Sequence, residues 1–388
     1  MRAALLVCGV AMLVVAAGVV PGAALDAGDS TATNDTEATR DPGVPMSPQV
    51  TEPPVDPDFG YGSMTVEGEP ASGVRPLLVV LVESPPAANR SGIAHDVDYY
   101  DRLLFGYGDT GVPAGDGTVR NVSIKELFIE NSRGKFSWSK AGGTIYGPIT
   151  YPSNEAFVEE GGFEDDQFDG RIAAPELVAE RGFDFSRYDR DGDGTVSGDE
   201  LGILVISDRG TAGGQTISIC QRVETPDSGR IRVCTDASGV GHRASLSLIG
   251  HELGHQLDAP HFYGANLHLK SKTIMGPSRG ADDHSTFHFD PWNKIQLGWA
   301  RPQVYSIPEL QAAGRCAYPG VLDGSGLYSD RDTRSPVILY DPARYDSATR
   351  TGEYYIMEWR ETTSYDTNLQ GPPGGRGLAI WYVQTEDG

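Results

Sequence analysis

Positive charge is scarce in this sequence of 388 residues. It holds 31 lysines and arginines against 54 aspartates and glutamates, for a formal net charge of −23, and only 6 of the basic residues are lysines. Such a surface repels phosphate groups, so nucleic acid and anionic membrane surfaces are excluded as expected partners. Abundant aspartate with little lysine is typical of proteins that stay hydrated in high salt, and it predicts a halophilic source.

Cysteine is also scarce, with four in the chain and none between Cys8 and Cys220. Cys220 and Cys234 lie on either side of a turn, Pro226–Gly229, between two strand-like runs, which predicts a disulfide across a hairpin. Two buried thiols are the alternative. Cys316 has no evident partner.

The N-terminus has the layout of an export signal followed by a linker. Arg2 precedes an apolar run from Ala3 to Val20 and then small residues, so residues 1–24 are predicted to be a cleaved secretory signal. The run is also long enough to be retained as a membrane anchor. Residues 25–72 are rich in aspartate, threonine and proline and poor in apolar residues, which predicts a disordered linker.

The folded body is predicted to begin at residue 73. Leu77–Val82 is a continuous apolar run, as in a strand buried on both faces. Helices are predicted near 97–104, 123–131 and 172–181, strands within 135–151, and further strands at 336–340, 354–359 and 377–383. We therefore expect an α+β domain with a twisted mixed sheet over residues 73–300, followed by a β-rich portion over 301–388.

The segment His251-Glu252-Leu253-Gly254-His255 carries the clearest chemistry in the chain. On a helix its two histidines, four residues apart, face the same side, so both imidazoles can reach one metal ion. An apolar stripe forms on the opposite side, at Leu246, Ile249, Leu253 and Leu257. Pro260 is expected to end the helix, which would let His261 fold back as a third ligand.

Three protein ligands leave a fourth position for water, which is typical of catalytic and not of structural zinc. Glu252 can then take a proton from a zinc-bound water and pass it to the leaving amine. We predict one catalytic Zn²⁺ held by His251, His255 and His261, with Glu252 as the general base. The alternative is a pair of solvated histidines on a polar helix face. His284 and His288, also four residues apart, are assigned packing or pocket roles, with a second metal left open.

The pattern His-Glu-x-x-His-x-x-Gly-x-x-His with a later methionine turn marks the metzincin peptidases, and Thr273–Gly276, with Met275 inside it, resembles that turn. Asp258 stands in place of the glycine, at a turn that often needs a positive φ, which aspartate tolerates. Three further runs resemble the immune-inhibitor-A type of secreted metallopeptidase, the M6 family: Phe289–Trp299, Glu130–Phe136 and Phe185–Gly194. This resemblance covers most of the chain and implies a zincin-like (metzincin) catalytic domain that cleaves proteins.

A second metal-binding pattern runs from Asp189 to Glu200. Its order, D-x-D-x-D-G-x5-E, matches a calcium loop, in which Gly194 allows the sharp turn. We predict at least one structural Ca²⁺ with ligands from Asp189, Asp191, Asp193, Thr195, Ser197 and Glu200. An acidic surface turn is the alternative. Leu201–Ser207 has the pattern of a buried strand, so the loop is not expected to lead into the helix of an EF-hand.

Together these features predict a secreted zinc endopeptidase that acts on protein or peptide substrates. A cell-surface form tethered by an uncleaved anchor is the alternative location. The alternative function is a binding or adhesion module that keeps the peptidase scaffold without turnover, although such a module usually loses the general base or a ligand. Because Cys8 alone precedes Cys220, an inhibitory cysteine from an N-terminal prosegment is excluded.

Overall fold

The computed structural model describes eleven stretches of the chain: residues 71–84, 92–150, 166–208, 213–225, 229–261, 272–276, 281–312, 336–346, 349–361, 364–366 and 376–385. The predicted signal at residues 1–24, the linker up to residue 70, and Cys316 lie outside these stretches. Within them, no helix combines the length and the apolar character needed to cross a membrane.

The main body is built on a seven-stranded sheet. Nine strands precede the C-terminal portion: β1 (Gly73–Glu83), β2 (Val112–Pro113), β3 (Val119–Arg120), β4 (Phe136–Lys140), β5 (Tyr146–Thr150), β6 (Thr195–Ser197), β7 (Gly202–Ser207), β8 (Gly214–Thr225) and β9 (Gly229–Gly241). The order β4-β1-β7-β9 forms the centre, with β5 on β1 and with β6 and β8 on β9, while β2 and β3 form a separate hairpin. Every pairing in the large sheet is parallel except β8 with β9.

In the described stretches, six α-helices accompany the strands: α1 (Val97–Phe105), α2 (Ile124–Asn131), α3 (Asp166–Ala179), α4 (Leu246–His255), α5 (Pro291–Gln296) and α6 (Ile307–Ala312). Short 3₁₀ turns occur at Ala141–Gly143, Phe185–Tyr188 and Ser364–Asp366. Four helices begin where a side-chain oxygen accepts an otherwise unpaired backbone N–H of the first turn. The capping residues of α1, α2, α4 and α5 are, in order, Asp96, Ser123, Ser245 and Asp290.

Helices cover both faces of the large sheet, because β1 is apolar on both sides. Leu77, Val79 and Leu81 pack in one cluster with residues of α1, α2 and α4. Leu78 and Val80 pack on the other face with residues of α3. Full burial of each such side chain contributes about 1.5–3 kcal/mol, so this strand anchors both layers and fixes α4 against one of them.

The C-terminal portion forms a second sheet of four strands: β10 (Gln303–Ser306), β11 (Val337–Asp346), β12 (Thr351–Glu361) and β13 (Arg376–Thr385). They lie in chain order, parallel between β10 and β11 and antiparallel thereafter. One face packs Ile338, Tyr340, Tyr354 and Ile356 against Ile295 and Ala300 of the α5 region. The second sheet thus adjoins the segment that follows the predicted methionine turn.

The predicted combination of a mixed sheet with helices and a β-rich C-terminal portion is confirmed. The strand expected at Leu77–Val82 lies inside β1, and the candidates at 354–359 and 377–383 lie inside β12 and β13. The candidate at 336–340 matches β11, which begins one residue later, at Val337. The helix expected near residues 172–181 begins earlier, at Asp166, and ends at Ala179. The strand expected at Leu201–Ser207 is β7, which begins at Gly202, and all of its residues are buried.

Candidate metal centre

Helix α4 presents the histidine motif against the core. Ser245 caps the helix by accepting the N–H of Leu248, and the predicted apolar stripe is buried, at Leu246, Ile249, Leu253 and Leu257. Gly254 allows close packing, because a Cβ there would lie 2.7 Å from the sulfur of Met275. The helix therefore packs closely on Met275, in the predicted methionine turn.

The prediction that Pro260 ends this helix is wrong, since α4 ends at His255. The backbone reverses at Asp258, which has φ 61°, so that its N–H bonds to the carbonyl of His255 and the N–H of Ala259 bonds to that of Gly254. A left-handed residue just beyond the last turn is a common helix stop. Asp258 therefore takes the conformation for which the metzincin pattern uses glycine.

After this turn, His261 meets the two helical histidines. The Nε2 atom of His255 lies 3.1 Å from Nε2 of His251 and 2.6 Å from Nε2 of His261. One ligand atom from each of the three residues lies within 4.8 Å of the others. The predicted ligands are thus brought together, with His251 buried and His261 exposed.

Two carbonyl groups fix which nitrogen faces the cluster. Nδ1 of His251 lies 2.8 Å from the carbonyl oxygen of Ile274, and Nδ1 of His255 lies 2.7 Å from that of Ala259. Because a carbonyl only accepts, each Nδ1 carries the proton and each Nε2 directs a lone pair at the common point. Acceptor nitrogens held this close to one another repel unless a cation lies between them.

The three nitrogens fit a zinc ion. Ligands about 2.0–2.1 Å from a tetrahedral zinc lie about 3.3 Å from each other, close to the 3.1 Å between His251 and His255. The 2.6 Å between His255 and His261 is shorter than this spacing by about 0.7 Å. Burial, with a smaller contribution from the neighbouring imidazoles, lowers the pKa of His251 and of His255 to about 4, so both are neutral at pH 7.

Glu252 follows His251 on α4, and β8 and β9 of the large sheet hold it. Its Oε2 accepts a hydrogen bond of 2.9 Å from the hydroxyl of Thr216 on β8, and its backbone carbonyl accepts from Thr216 and from Ser238 on β9. Its Oε1 lies against Gly214, where a Cβ would be only 2.6 Å away. A side chain at this position would therefore have to displace the carboxylate.

Burial raises the pKa of Glu252 to about 7, while the bond from Thr216 and the charge of Arg171 act to lower it. A carboxylate with this pKa can accept and return a proton near neutral pH. Arg171 on α3 is fully buried and donates to the backbone carbonyl and the side-chain oxygen of Gln215, next to Thr216. It therefore holds β8 in place and supplies positive charge near Glu252.

Strand β8 leaves one edge open beside Glu252. Among the described residues it pairs only with β9. Just before β8, Gly241 donates its N–H to the carbonyl of Gly213, next to the first register pair, Gly214 with Val240. In an antiparallel pair, the backbone groups of alternate residues bond to the partner strand and those of the residues between them point away from it. The backbone groups of Gly214, Thr216 and Ser218 thus face the open side, where an extended chain can add as a further strand.

The calcium pattern is partly assembled. Ligand oxygens of Asp189, Asp191 and Asp193 lie within 4.8 Å of one another, on an exposed loop. Glu200 does not join that cluster of three, because its carboxylate accepts the backbone N–H groups of Arg190 and Ser197 and so closes the loop. In the same loop, the Thr195 N–H bonds to Asp193 and the Ser197 hydroxyl to Glu200. The arrangement offers carboxylate oxygens, the donors that Ca²⁺ prefers.

The remaining predicted residues have separate surroundings. Cys220 and Cys234 are register partners on β8 and β9 and are joined by a disulfide. Nε2 of His284 bonds to the hydroxyl of Tyr99, and Nε2 of His288 lies 2.5 Å from Glu130. Among the described residues, neither histidine belongs to a group of three potential metal ligands.

Four residues around Glu252 carry no signal in the sequence, namely Gly214, Thr216, Ser238 and Arg171. They come from α3, β8 and β9, and no spacing along the chain relates them to the histidine motif. They could be found only from the sheet order that brings these elements together.

Comparison with known proteins does not assign a function, so the function has to be inferred from this geometry. No family model matches the chain, and no curated protein matches it.

Proposed function

We propose that this chain is a zinc-dependent endopeptidase of metzincin type. The observation that carries the proposal is the convergence of the Nε2 atoms of His251, His255 and His261. The buried carboxylate of Glu252 follows His251 on the same helix. The methionine turn beneath Gly254 and the resemblance to the M6 family support the finer assignment.

A bound Zn²⁺ would supply a Lewis acid that polarises the scissile carbonyl and lowers the pKa of water. The protein's own part is to position and to move a proton. Glu252, oriented by Thr216, takes the proton from the attacking water and returns it to the leaving amine. The open edge of β8 binds the substrate backbone in an extended form, so the substrate is a protein or a peptide.

Secretion and a structural Ca²⁺ in the Asp189–Glu200 loop belong to the same proposal. The export signal in the sequence supports secretion, and the clustered aspartates support the ion. Metal analysis of the purified protein tests both ions, with about one zinc and one calcium per chain expected.

The decisive test compares Glu252→Gln with the parent protein. Glutamine keeps the shape of the side chain but cannot accept the proton, so casein hydrolysis should fall by at least about 10²-fold while zinc content stays at the parent level. Glu224→Gln, an exposed carboxylate at the far end of β8, is the matched control and should keep full activity.

Two outcomes would count against the proposal. If Glu252→Gln digests casein as fast as the parent, this carboxylate is not the base. If the parent binds zinc at the three histidines but cleaves no protein or peptide, the binding-module alternative takes its place.

A further inference from the structure

Charged side chains are buried where the C-terminal sheet meets the main body. Glu358 and Arg360 on β12 are 4% and 2% exposed, and Asp366, five residues beyond the end of that strand, is not exposed at all. His288 and Lys294 of the main body are also buried, and Nζ of Lys294 lies 3.5 Å from Nδ1 of His288. Burying so many charges is costly unless each is paired, so their positions require a reason.

Arg360 is the centre of this cluster. Its Nε and Nη2 donate to the two oxygens of Asp366 at 2.8 and 2.6 Å, and its Nη1 donates to Glu358 at 3.2 Å. Burial acts to raise the pKa of Asp366, but Arg360 outweighs it and holds that pKa below the ordinary value. Arg360 and Asp366 therefore form a fixed, two-pronged ion pair.

The same guanidinium also reaches the main body. Its Nη1 donates to the backbone carbonyl of Lys272 at 2.8 Å. Lys272 immediately precedes the methionine turn, which carries Met275 under helix α4. A side chain of the second sheet thus holds the backbone that leads into this turn.

The methionine turn also orients one of the proposed metal ligands, His251. The carbonyl of Ile274 accepts the Nδ1 proton of His251, and the N–H of Ile274 donates to the carbonyl of His288. Asp366 accepts the backbone N–H of His288 at 3.1 Å. The ion pair therefore bonds to the backbone at two points, Lys272 through Arg360 and His288 through Asp366. A hydrogen-bonded path therefore runs from Arg360 to the imidazole of His251.

We propose that Arg360 is a positioning residue for the metal centre, because it fixes the turn whose Ile274 carbonyl orients His251. The inference rests on the proposed function in so far as the three histidines bind zinc. It makes the C-terminal sheet a part of the site, although none of its described residues lies among the metal ligands.

The test replaces Arg360 by lysine in the full chain. Lysine keeps the charge that Asp366 and Glu358 require, but it lacks the planar fork that also reaches Lys272. Removing a group that bonds directly to a metal-ligating histidine typically costs about 10–100-fold in metal affinity. Arg360 acts one step further away, so Arg360→Lys should weaken zinc binding by about three- to tenfold.

Affinity is measured by competition with a chelating dye, and the absorption of the Co²⁺-substituted protein reports the geometry of the ligand set. We expect a shifted Co²⁺ spectrum together with the weaker binding. The matched control is Arg344→Lys, on β11 of the same sheet, where Arg344 pairs with Glu353 at the surface. This control should leave affinity and spectrum unchanged.

A second variant combines Arg360→Gln with Asp366→Asn, so that no buried charge of the pair is left alone. It should weaken zinc binding in the same way. Parent-like affinity and spectra in both folded variants would overturn the inference, and so would loss of the folded state in both, since the pair would then act on the whole fold. Failure of the parent itself to bind zinc would instead overturn the proposed function.

Discussion

Replacing Gly214 by alanine should displace the carboxylate of Glu252 without touching the metal ligands. Gly214 does not have a positive φ, so alanine causes no backbone strain there, and only the added methyl group matters. That carbon would lie 2.6 Å from Oε1 of Glu252, 2.8 Å from its Cγ and 2.9 Å from a methyl group of Leu248. The tip of a flexible side chain gives way more easily than the strand, so the carboxylate should move.

The size of the effect follows from these distances. Ordinary contact begins at 3.4 Å, so the oxygen must retreat by about 0.8 Å from its present 2.6 Å. A misplacement of about 1 Å in a catalytic group can cost about 10²-fold in rate. Overpacking of this kind also lowers the free energy of unfolding by about 1–3 kcal/mol. Zinc affinity should stay within about twofold of the parent, because His251, His255 and His261 are not displaced.

The assay is kcat/KM for a fluorogenic peptide, measured beside zinc content and urea unfolding. Gly198→Ala is the control, since a Cβ there meets nothing closer than 3.8 Å. If Gly214→Ala kept activity within about threefold and unfolding stability within 0.5 kcal/mol of the parent, the close approach of Glu252 to β8 would be refuted.

Three further predictions concern stability and metal binding. His288 is held neutral because burial lowers its pKa and Lys294 lowers it further. The contribution of His288 to the free energy of unfolding is therefore complete above the unfolded-state pKa of about 6.5. As pH falls below that value, this contribution is lost by up to about 1.4 kcal/mol per pH unit. Urea unfolding should thus show a steeper loss in the parent than in His288→Asn between pH 6.5 and 5. Replacing Cys220 and Cys234 by serine should lower the free energy of unfolding by up to about 3 kcal/mol, since the bridge closes a loop of 14 residues; equal urea midpoints would contradict this. Zinc at 1,000 times its dissociation constant should raise the free energy of unfolding of the parent by about 4 kcal/mol. Calorimetry should therefore show a higher melting temperature for the parent with excess zinc, and a far smaller rise for His261→Ala.

The fold elements with strong local patterns could be predicted from the sequence. The continuous apolar run Leu77–Val82 is typical of a strand buried on both faces, and the spacing of the stripe on α4 is typical of a packed helix. The meeting of His251, His255 and His261 could be predicted because all three lie within eleven residues.

Three features could not be predicted, for physical reasons. The end of α4 depends on the backbone reversal at Asp258, whereas the rule that proline stops a helix pointed to Pro260, five residues beyond the last helical residue, His255. The setting of Glu252 depends on Thr216 and Arg171, which only the sheet order brings near. The pairing of Arg360 with the carbonyl of Lys272 spans 88 residues and has no local pattern.

Dissolved salt should weaken the exposed ion pairs of this protein more than the buried ones. Arg230 and Glu224 pair at the surface with side chains that are 68% and 76% exposed, whereas Arg360 and Asp366 are 2% and 0% exposed. Electrostatic screening acts over about 3 Å in 1 M salt, but only where counter-ions can enter. Concentrated salt therefore weakens the outer pairs and leaves the inner pair at full strength. Among the ion pairs of the described residues, the one that attaches the second sheet to the main body should thus be the least sensitive to salt.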